Sequence, residues 1–194
     1  MKNILAENMR RFGTKNLNEQ TIDPLTRAKK NWVAMFITDV KNLEQLATNS
    51  AEYPWMGDAT KNMIRLTAGD LLTRAEKFKI HGPEPGQGEF EAFLDLVRQY
   101  VKIFASIYDG SPDLKAYYTK IENTKDDSRN NEKIQVTKSK KAGEKLRALQ
   151  ASILSKAQEF ESITDSLELA NKFSDLRTSI SDLKHDLMMP DYNR

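Results

Sequence analysis

The stretch that decides the fold is residues 146–187, which read LRALQASILSKAQEFESITDSLELANKFSDLRTSISDLKHDL. It contains neither Gly nor Pro, and its apolar residues recur at a spacing close to 3.5, the period of a helix that packs along another helix. These apolar positions are Leu146, Leu149, Ile153, Ala157, Phe160, Ile163, Leu167, Ala170, Phe173, Leu176, Ile180, Leu183 and Leu187. The pattern predicts a long, coiled-coil-like helix over residues 141–189 that needs a helical partner.

The same stretch carries one signal for a break. Asp165, followed three residues later by Glu168, resembles a capping box, the pattern that opens a helix. The alternative to one long helix is therefore two helices separated near residue 164. Because no Gly or Pro compels the chain to reverse here, we favour one continuous helix, followed by a tail over residues 190–194.

Composition supports an all-α fold and excludes several classes of protein. The 194 residues include only 8 Gly and 6 Pro, and 30% of them are charged. There is no Cys, so disulfides and thiolate chemistry are excluded. No apolar run reaches the roughly 18 residues of a membrane span, and we expect neither a signal peptide nor membrane association. With 30 basic against 28 acidic residues, the whole chain is not marked as a nucleic-acid binder.

Upstream of the long stretch, residues 23–122 predict a body of about four helices. Asp23 followed by Pro24, and Ser111 followed by Pro112, are typical of helix starts, since each pair supplies a cap and a first helical residue. Gly69 lies inside the second predicted helix, where a Gly usually indicates close packing. A Gly- and Pro-rich connector over residues 81–88 separates the second helix from the third.

Residues 1–22 predict a docking segment. Ile4, Leu5, Met9 and Phe12 form a short apolar face, and so short a helix needs a surface to pack on. That surface is either the chain's own body or a partner subunit. A membrane-surface helix is the weakest alternative, because Glu7 interrupts the small apolar face.

Residues 123–140 predict a flexible, basic linker. They are mostly polar and have little to bury, and residues 134–137 alternate in the manner of a short extended segment that would pair with another molecule. Between residues 133 and 147, six basic residues stand against Glu144 alone, so we regard this segment as a candidate nucleic-acid contact. The six are Lys133, Lys138, Lys140, Lys141, Lys145 and Arg147.

That basic segment is followed by an acidic one, which leaves two other interpretations open. Residues 148–189 contain four basic and seven acidic side chains. Solvent and neighbouring residues can absorb this gradient, or the two ends can meet in a head-to-tail or antiparallel contact between subunits. With the apolar face of residues 1–22, we therefore place candidate partner-binding residues at the end of the long helix: Leu176, Ile180, Leu183 and Leu187.

No pattern in the chain indicates catalysis. The two histidines, His81 and His185, lie far apart in sequence, and neither belongs to a two-His ligand spacing. The Glu-x-x-His pairs of a di-iron bundle are also missing. We expect a non-enzymatic protein with no catalytic residues, no metal and no cofactor.

One resemblance refines this expectation. Residues 4–17, ILAENMRRFGTKNL, resemble the start of uncharacterised structural (virion) proteins of tailed phages that infect Bacteroidetes. The resemblance implies a virion component, such as a head-tail connector (ring or adaptor) or a head-associated protein, in homo-oligomeric or mixed assembly. Its expected location is the virion, assembled in the host cytoplasm, and otherwise the cytoplasm. The alternative function is that of a nucleic-acid-associated helical protein using residues 133–147.

Overall fold

The computed structural model describes residues 23–48, 53, 55–124 and 129–188. Every regular element within these ranges is helical, which confirms the predicted all-α class. The first four elements are α1 (Pro24–Thr48), α2 (Asp58–His81), α3 (Glu89–Gly110) and α4 (Pro112–Glu122). The others are α5 (Asn130–Ser152), a 3-10 turn (Ile153–Lys156), the short α6 (Ala157–Glu161) and α7 (Ser166–Met188).

The starts of α1 and α4 follow the capping chemistry predicted for them. The Asp23 carboxylate accepts a hydrogen bond from the backbone N–H of Thr26 at 3.0 Å. The Ser111 hydroxyl accepts one from the N–H of Leu114 at 3.2 Å, directly before the first turn that Pro112 opens. Each cap satisfies an amide that has no partner inside its own helix, so both helices begin where the sequence predicts.

Helix α3 is the centre of the bundle. It packs against α1, α2, α5, the 3-10 turn, α6 and α7. Leu94, Val101, Phe104 and Ile107 are all completely buried, as expected for a helix that has neighbours on most of its faces. The elements on both sides of residue 123 therefore share one hydrophobic core.

The predicted long C-terminal helix is wrong, and the chain instead forms the two-helix alternative. The first helix gives way to the 3-10 turn at Ile153, and the backbone leaves the helical conformation after Glu161 before α7 begins. Asp165 caps the new helix by accepting a hydrogen bond from the N–H of Glu168 at 3.0 Å. Phe160, just before the break, and Ile163, within it, are buried, so tertiary packing holds the reversal without Gly or Pro.

The predicted linker is also corrected. From Asn130 onward residues 123–140 are helical, and the segment predicted to be extended, residues 134–137, lies inside α5. Val136 is 1% exposed and Ser139 is completely buried, so this part of the chain has a core-facing side that its polar composition conceals. Helix α5 therefore belongs to the folded body.

Most of the apolar positions predicted over residues 146–187, which we call the C-terminal seam, pack within the chain, whereas Leu167 is 67% exposed. Helix α7 folds back along α5 and α1, and Phe173, Ile180 and Leu187 enter the common core. Two buried side chains bind the last turn of α7: Ser139 donates a hydrogen bond to the Leu187 carbonyl at 2.7 Å, and the Trp55 indole donates one to the Met188 carbonyl at 3.0 Å. These bonds satisfy carbonyls that a helix end otherwise leaves without partners.

The close packing expected at Gly69 is wrong, because a Cβ built there has no heavy atom of another element within 4 Å. The close approach is at Gly143 instead, where a Cβ would lie 2.3 Å from the ring of Tyr108. Within the described ranges, no helix combines the length and apolarity that a membrane crossing requires.

Candidate functional site

A cleft of about 230 Å³ opens between α1 and α7, with α3 as its floor. Each helix contributes side chains at helical spacing, so one face of each helix points into the same space. Helix α1 contributes Trp32, Phe36 and Asp39; α3 contributes Phe93, Val97 and Tyr100; α7 contributes Phe173, Leu176, Arg177, Thr178, Ile180, Ser181, Asp182 and Lys184. We call this site the α1–α7 cleft.

Aromatic rings form the apolar wall of the cleft. The Trp32 and Phe173 centroids are 5.1 Å apart, and Phe93 meets Phe173 edge-on at 5.3 Å. Phe36 contacts both Phe93 and Tyr100 in edge-to-face geometry, at 5.7 and 5.8 Å. These edge and tilted contacts are favourable for aromatic quadrupoles, and they hold the rings in fixed positions around the opening.

One charged pair crosses the rim. The Arg177 guanidinium donates two hydrogen bonds to the Asp39 carboxylate, at 2.7 and 2.8 Å, and so joins α7 to α1. The hydrogen bond raises the pKa of Arg177, and the charge of Asp39 acts in the same direction. Because the two charges largely cancel, neither residue is available as a free ion for a ligand.

Lys184 carries a positive charge that, unlike the charge of Arg177, is not paired with a described carboxylate. It lines the cleft, is partly buried, and forms no ion pair with any residue that the structure describes. Burial lowers the pKa of Lys184, and the positive charge of Arg177 adds to this effect while Asp39 opposes it. An ammonium group held half out of water without a counter-ion favours an incoming anion.

Tyr100 supplies a second polar group without a partner. Its side chain is 5% exposed and lies on the floor of the cleft. Burial raises the pKa of its hydroxyl above the ordinary range, with the negative charge of Asp39 adding to the effect. No hydrogen bond joins that hydroxyl to a described residue. Since every fully buried side-chain oxygen or nitrogen of the described residues has a hydrogen-bond partner, the Tyr100 hydroxyl oxygen reaches the solvent in the cleft, where it can donate to a ligand.

The cleft combines an aromatic wall with hydrogen-bond donors at its floor and rim. Such a site binds a ligand that is apolar at one end and accepts hydrogen bonds at the other. Among its described lining residues there is no hydroxyl or amine paired with a base in the way that activates a nucleophile.

The six predicted nucleic-acid contacts all lie on α5 but divide between two faces. Lys140 forms an ion pair with Glu122 at 2.5 Å, Arg147 forms one with Asp109, and Lys133 is partly buried. The other three, which we call the α5 basic stripe, are exposed and form no ion pair with a described residue: Lys138, Lys141 and Lys145. Three of the six predicted contact residues are therefore exposed and not paired with a described carboxylate.

The eight predicted partner-binding residues have two different outcomes. On α7, Ile180 and Leu187 are buried, and Leu176 and Leu183 pack against the core, so these four contacts are made inside the chain. The other four lie outside the described residues: Ile4, Leu5, Met9 and Phe12.

A metal site has no candidate in the part of the chain that the structure describes, where no group of three or more His, Asp or Glu side chains is arranged to hold an ion. His81 ends α2, while His185 lies in the last turn of α7.

The α1–α7 cleft is not among the sites predicted from the sequence. The local signal was present, since Phe173, Arg177 and Lys184 follow one another at helical spacing, but it became meaningful only when α7 was placed beside α1. Comparison with known proteins gave no matching family model, no matching curated protein and no matching solved structure.

Proposed function

We propose that the chain is a non-enzymatic structural protein that associates with other subunits. Its concrete form is a component of a tailed-phage virion, either a head-tail connector (ring or adaptor) or a head-associated protein. The resemblance of residues 4–17 to such proteins supports the virion setting. The surface of α2 supports association.

The outer face of α2 carries the observation on which this proposal rests. Leu66 is 66% exposed and Ile80 is 71% exposed, and both lie on the same side of the helix as Gly69 and Thr73. We call these four residues the α2 face. A Gly inside a helix costs about 1 kcal/mol relative to Ala, and nothing within the described chain approaches Gly69 closely enough to require it.

This helix face has the small residues Gly69 and Thr73 between two large apolar ones, which suits close packing against another helix, and the exposed Asn62 and Lys77 lie on the same side. The C-terminal seam packs against other helices of the same chain, so the α2 face is the surface through which we expect a second copy to bind. Single exposed apolar residues are common on protein surfaces. The test therefore needs a control substitution at an exposed apolar residue outside the α2 face.

The experiment compares the full chain with L66K/I80K and L167K by mass photometry and light scattering over a range of concentrations. Leu167 is 67% exposed at the start of α7, so L167K is a substitution of matched chemistry and exposure on a different element. We expect a defined oligomer for the full chain and for L167K, and a monomer for L66K/I80K. A full chain that stays monomeric at every concentration and is missing from purified virions would contradict the proposal.

The α5 basic stripe favours a second candidate, association with nucleic acid. Its three lysines have no described counter-ion and face outward together, which suits a phosphate backbone. In this case binding weakens with salt, and K138Q/K141Q/K145Q reduces the slope of log Kd against log salt by about 2.7 for duplex DNA.

The matched control for this second candidate is K30Q/K79Q/K102Q, which removes the same charge from exposed lysines of α1, α2 and α3. The control should retain most of the salt dependence. Equal losses in the two variants would show that net charge alone, and not the α5 basic stripe, causes the binding.

A further inference from the structure

The α1–α7 cleft has the size and lining of a ligand site. A cavity of roughly 150 Å³ lined by apolar side chains is enough to hold benzene. The cleft, at about 230 Å³, has room for one aromatic ring and a short polar substituent. It is open to solvent along α7, so a ligand can enter without unfolding a helix.

The aromatic wall selects for a flat apolar group. Trp32 and Phe93 each contact Phe173, in tilted and edge-on geometry, and all three side chains line the cleft. A further aromatic ring fits such a wall with the same offset or edge-to-face geometry.

The polar groups select for an acceptor with negative charge. Lys184 brings an ammonium without a described counter-ion, and Tyr100 brings a hydroxyl that reaches the cleft and has no hydrogen bond to a described residue. The Ser181 hydroxyl lies on the same rim. Asp182 is also on the rim but is exposed to solvent, where its charge is screened.

The opposite choice of ligand is disfavoured. Aromatic cages with a carboxylate can bind quaternary ammonium ions. Here the one partly buried carboxylate, Asp39, is already bound by both arms of Arg177, and Lys184 would repel a second cation. A cation would have to break the ion pair and approach a positive charge in a partly desolvated site.

We propose that the α1–α7 cleft binds a small aromatic carboxylate. Its ring packs against Trp32, Phe93 and Phe173, while its carboxylate receives hydrogen bonds from the Lys184 ammonium and the Tyr100 hydroxyl. This binding site is independent of the α2 face and the α5 basic stripe, and it adds ligand recognition to a structural protein.

The two tryptophans of the chain provide a direct test by ¹H–¹⁵N correlation spectroscopy of their indole N–H groups. Trp32 lines the cleft, whereas Trp55 is buried against the Met188 carbonyl and serves as an internal reference. The probe is phenylacetate, its neutral analogue is phenylacetamide, and W32F assigns the two signals. We expect phenylacetate to shift the Trp32 signal saturably, with a Kd on the order of 1 mM for so small a ligand.

Two substitutions measure separately how much the Lys184 charge and the Tyr100 hydroxyl contribute to binding. K184M should weaken phenylacetate binding about tenfold, and Y100F several-fold, because each removes one hydrogen bond to the carboxylate while retaining an apolar side chain. K30M removes an exposed lysine elsewhere on α1 and should leave binding unchanged.

Three results would overturn the proposal: a Trp32 signal that does not move at about 20 mM phenylacetate, roughly twentyfold above the expected Kd; equal affinity for the acid and the amide; or equal binding by K184M and the unaltered chain. Unchanged Trp55 shifts and melting temperatures in the variants confirm that each fold is intact.

Discussion

At the scale of single residues, a buried hydrogen-bond chain holds the end of α7. The Ser139 hydroxyl donates to the Leu187 carbonyl at 2.7 Å, and since it has only one proton, the Tyr118 hydroxyl must donate to Ser139 across their 2.6 Å separation. This chain of hydrogen bonds joins three helices, α4, α5 and α7. Its members are buried, so each bond replaces contact with water that the fold has removed.

Removing the central hydroxyl should destabilise the protein. S139A leaves the Tyr118 hydroxyl and the Leu187 carbonyl buried without partners, and we expect the free energy of unfolding in urea to fall by about 2–3 kcal/mol. Ser155 is exposed and donates only to the Ser152 carbonyl of its own turn, so S155A should change stability by less than about 0.5 kcal/mol. Equal effects of the two substitutions would contradict this account of α7.

The same hydrogen-bond chain predicts loss of stability in alkaline solution. Burial raises the pKa of Tyr118 to about 12, although its hydrogen bond with Ser139 opposes the shift. In the unfolded chain a tyrosine titrates near pH 10, so between these two values the folded chain holds a proton that the unfolded chain has lost. The stabilisation is complete below about pH 10 and is lost as the pH rises toward 12.

Urea titrations at pH 8 and pH 11 should therefore show that the stability advantage of the unaltered chain over Y118F shrinks by roughly 1 kcal/mol. Burial raises the pKa of Tyr100 as well, so both proteins lose some stability over this range. A gap between the two proteins that stays constant with pH would show that Tyr118 is not the titrating group.

At the scale of elements, two glycines inside helices, Gly69 and Gly143, have opposite roles. Gly143 lets α5 approach α3, since a Cβ there would lie 2.3 Å from the ring of Tyr108, and Arg147 covers that ring at 5.5 Å. Gly69 has no close neighbour in the described chain.

We expect G143A to lower the free energy of unfolding by about 1–3 kcal/mol, because the ring and its helix must shift. G69A should raise the free energy of unfolding of the monomer by about 0.5–1 kcal/mol, through the better helix propensity of Ala. Chemical denaturation of the two variants under identical conditions checks both signs. Unchanged or higher stability of G143A would contradict the close packing of α5 on α3, and lower stability of G69A would contradict the open surroundings of Gly69.

Much of the helical framework was predictable because its signals are local. Asp23 and Ser111 cap helices through atoms three residues away, and apolar spacing identifies helices regardless of what they pack on. The reversal after Glu161 was less accessible. Asp165 correctly signalled the start of the new helix. The turn itself contains no Gly or Pro to mark it, and the stacking of Phe160 on Phe173 at 4.6 Å is a tertiary contact that the local sequence does not reveal.

The α1–α7 cleft was not predictable, because the contact that closes it joins residues distant in sequence. Asp39 and Arg177 are 138 positions apart, and each is an ordinary charged residue within its own helix. The unpaired Lys184 and the Tyr100 hydroxyl at the cleft are likewise properties of the assembled bundle. The basic character of α5 was visible in the sequence, whereas the division of its charges between ion pairs and solvent was not.

At the scale of the whole molecule, the C-terminal seam finds its partner within the chain. Helices α5 and α7 form a bent hairpin around α3, and a single core includes residues from Phe36 to Met188. The surfaces that we propose for other molecules are the α2 face, the α5 basic stripe and the α1–α7 cleft. Residues 1–22 lie outside the described residues, and their docking role remains a prediction.

The internal hairpin is the central claim, and zero-length carbodiimide cross-linking of the native chain tests it most directly. The Lys172 ammonium lies 2.5 Å from the Glu159 carboxylate across the turn, whereas one continuous helix would separate these residues by roughly 20 Å, at about 1.5 Å per residue. Mass spectrometry of an equal mixture of ¹⁴N and ¹⁵N protein distinguishes links within a chain from links between chains. We predict a Glu159–Lys172 link formed only within single chains; its absence, or its formation only between chains, would contradict the hairpin.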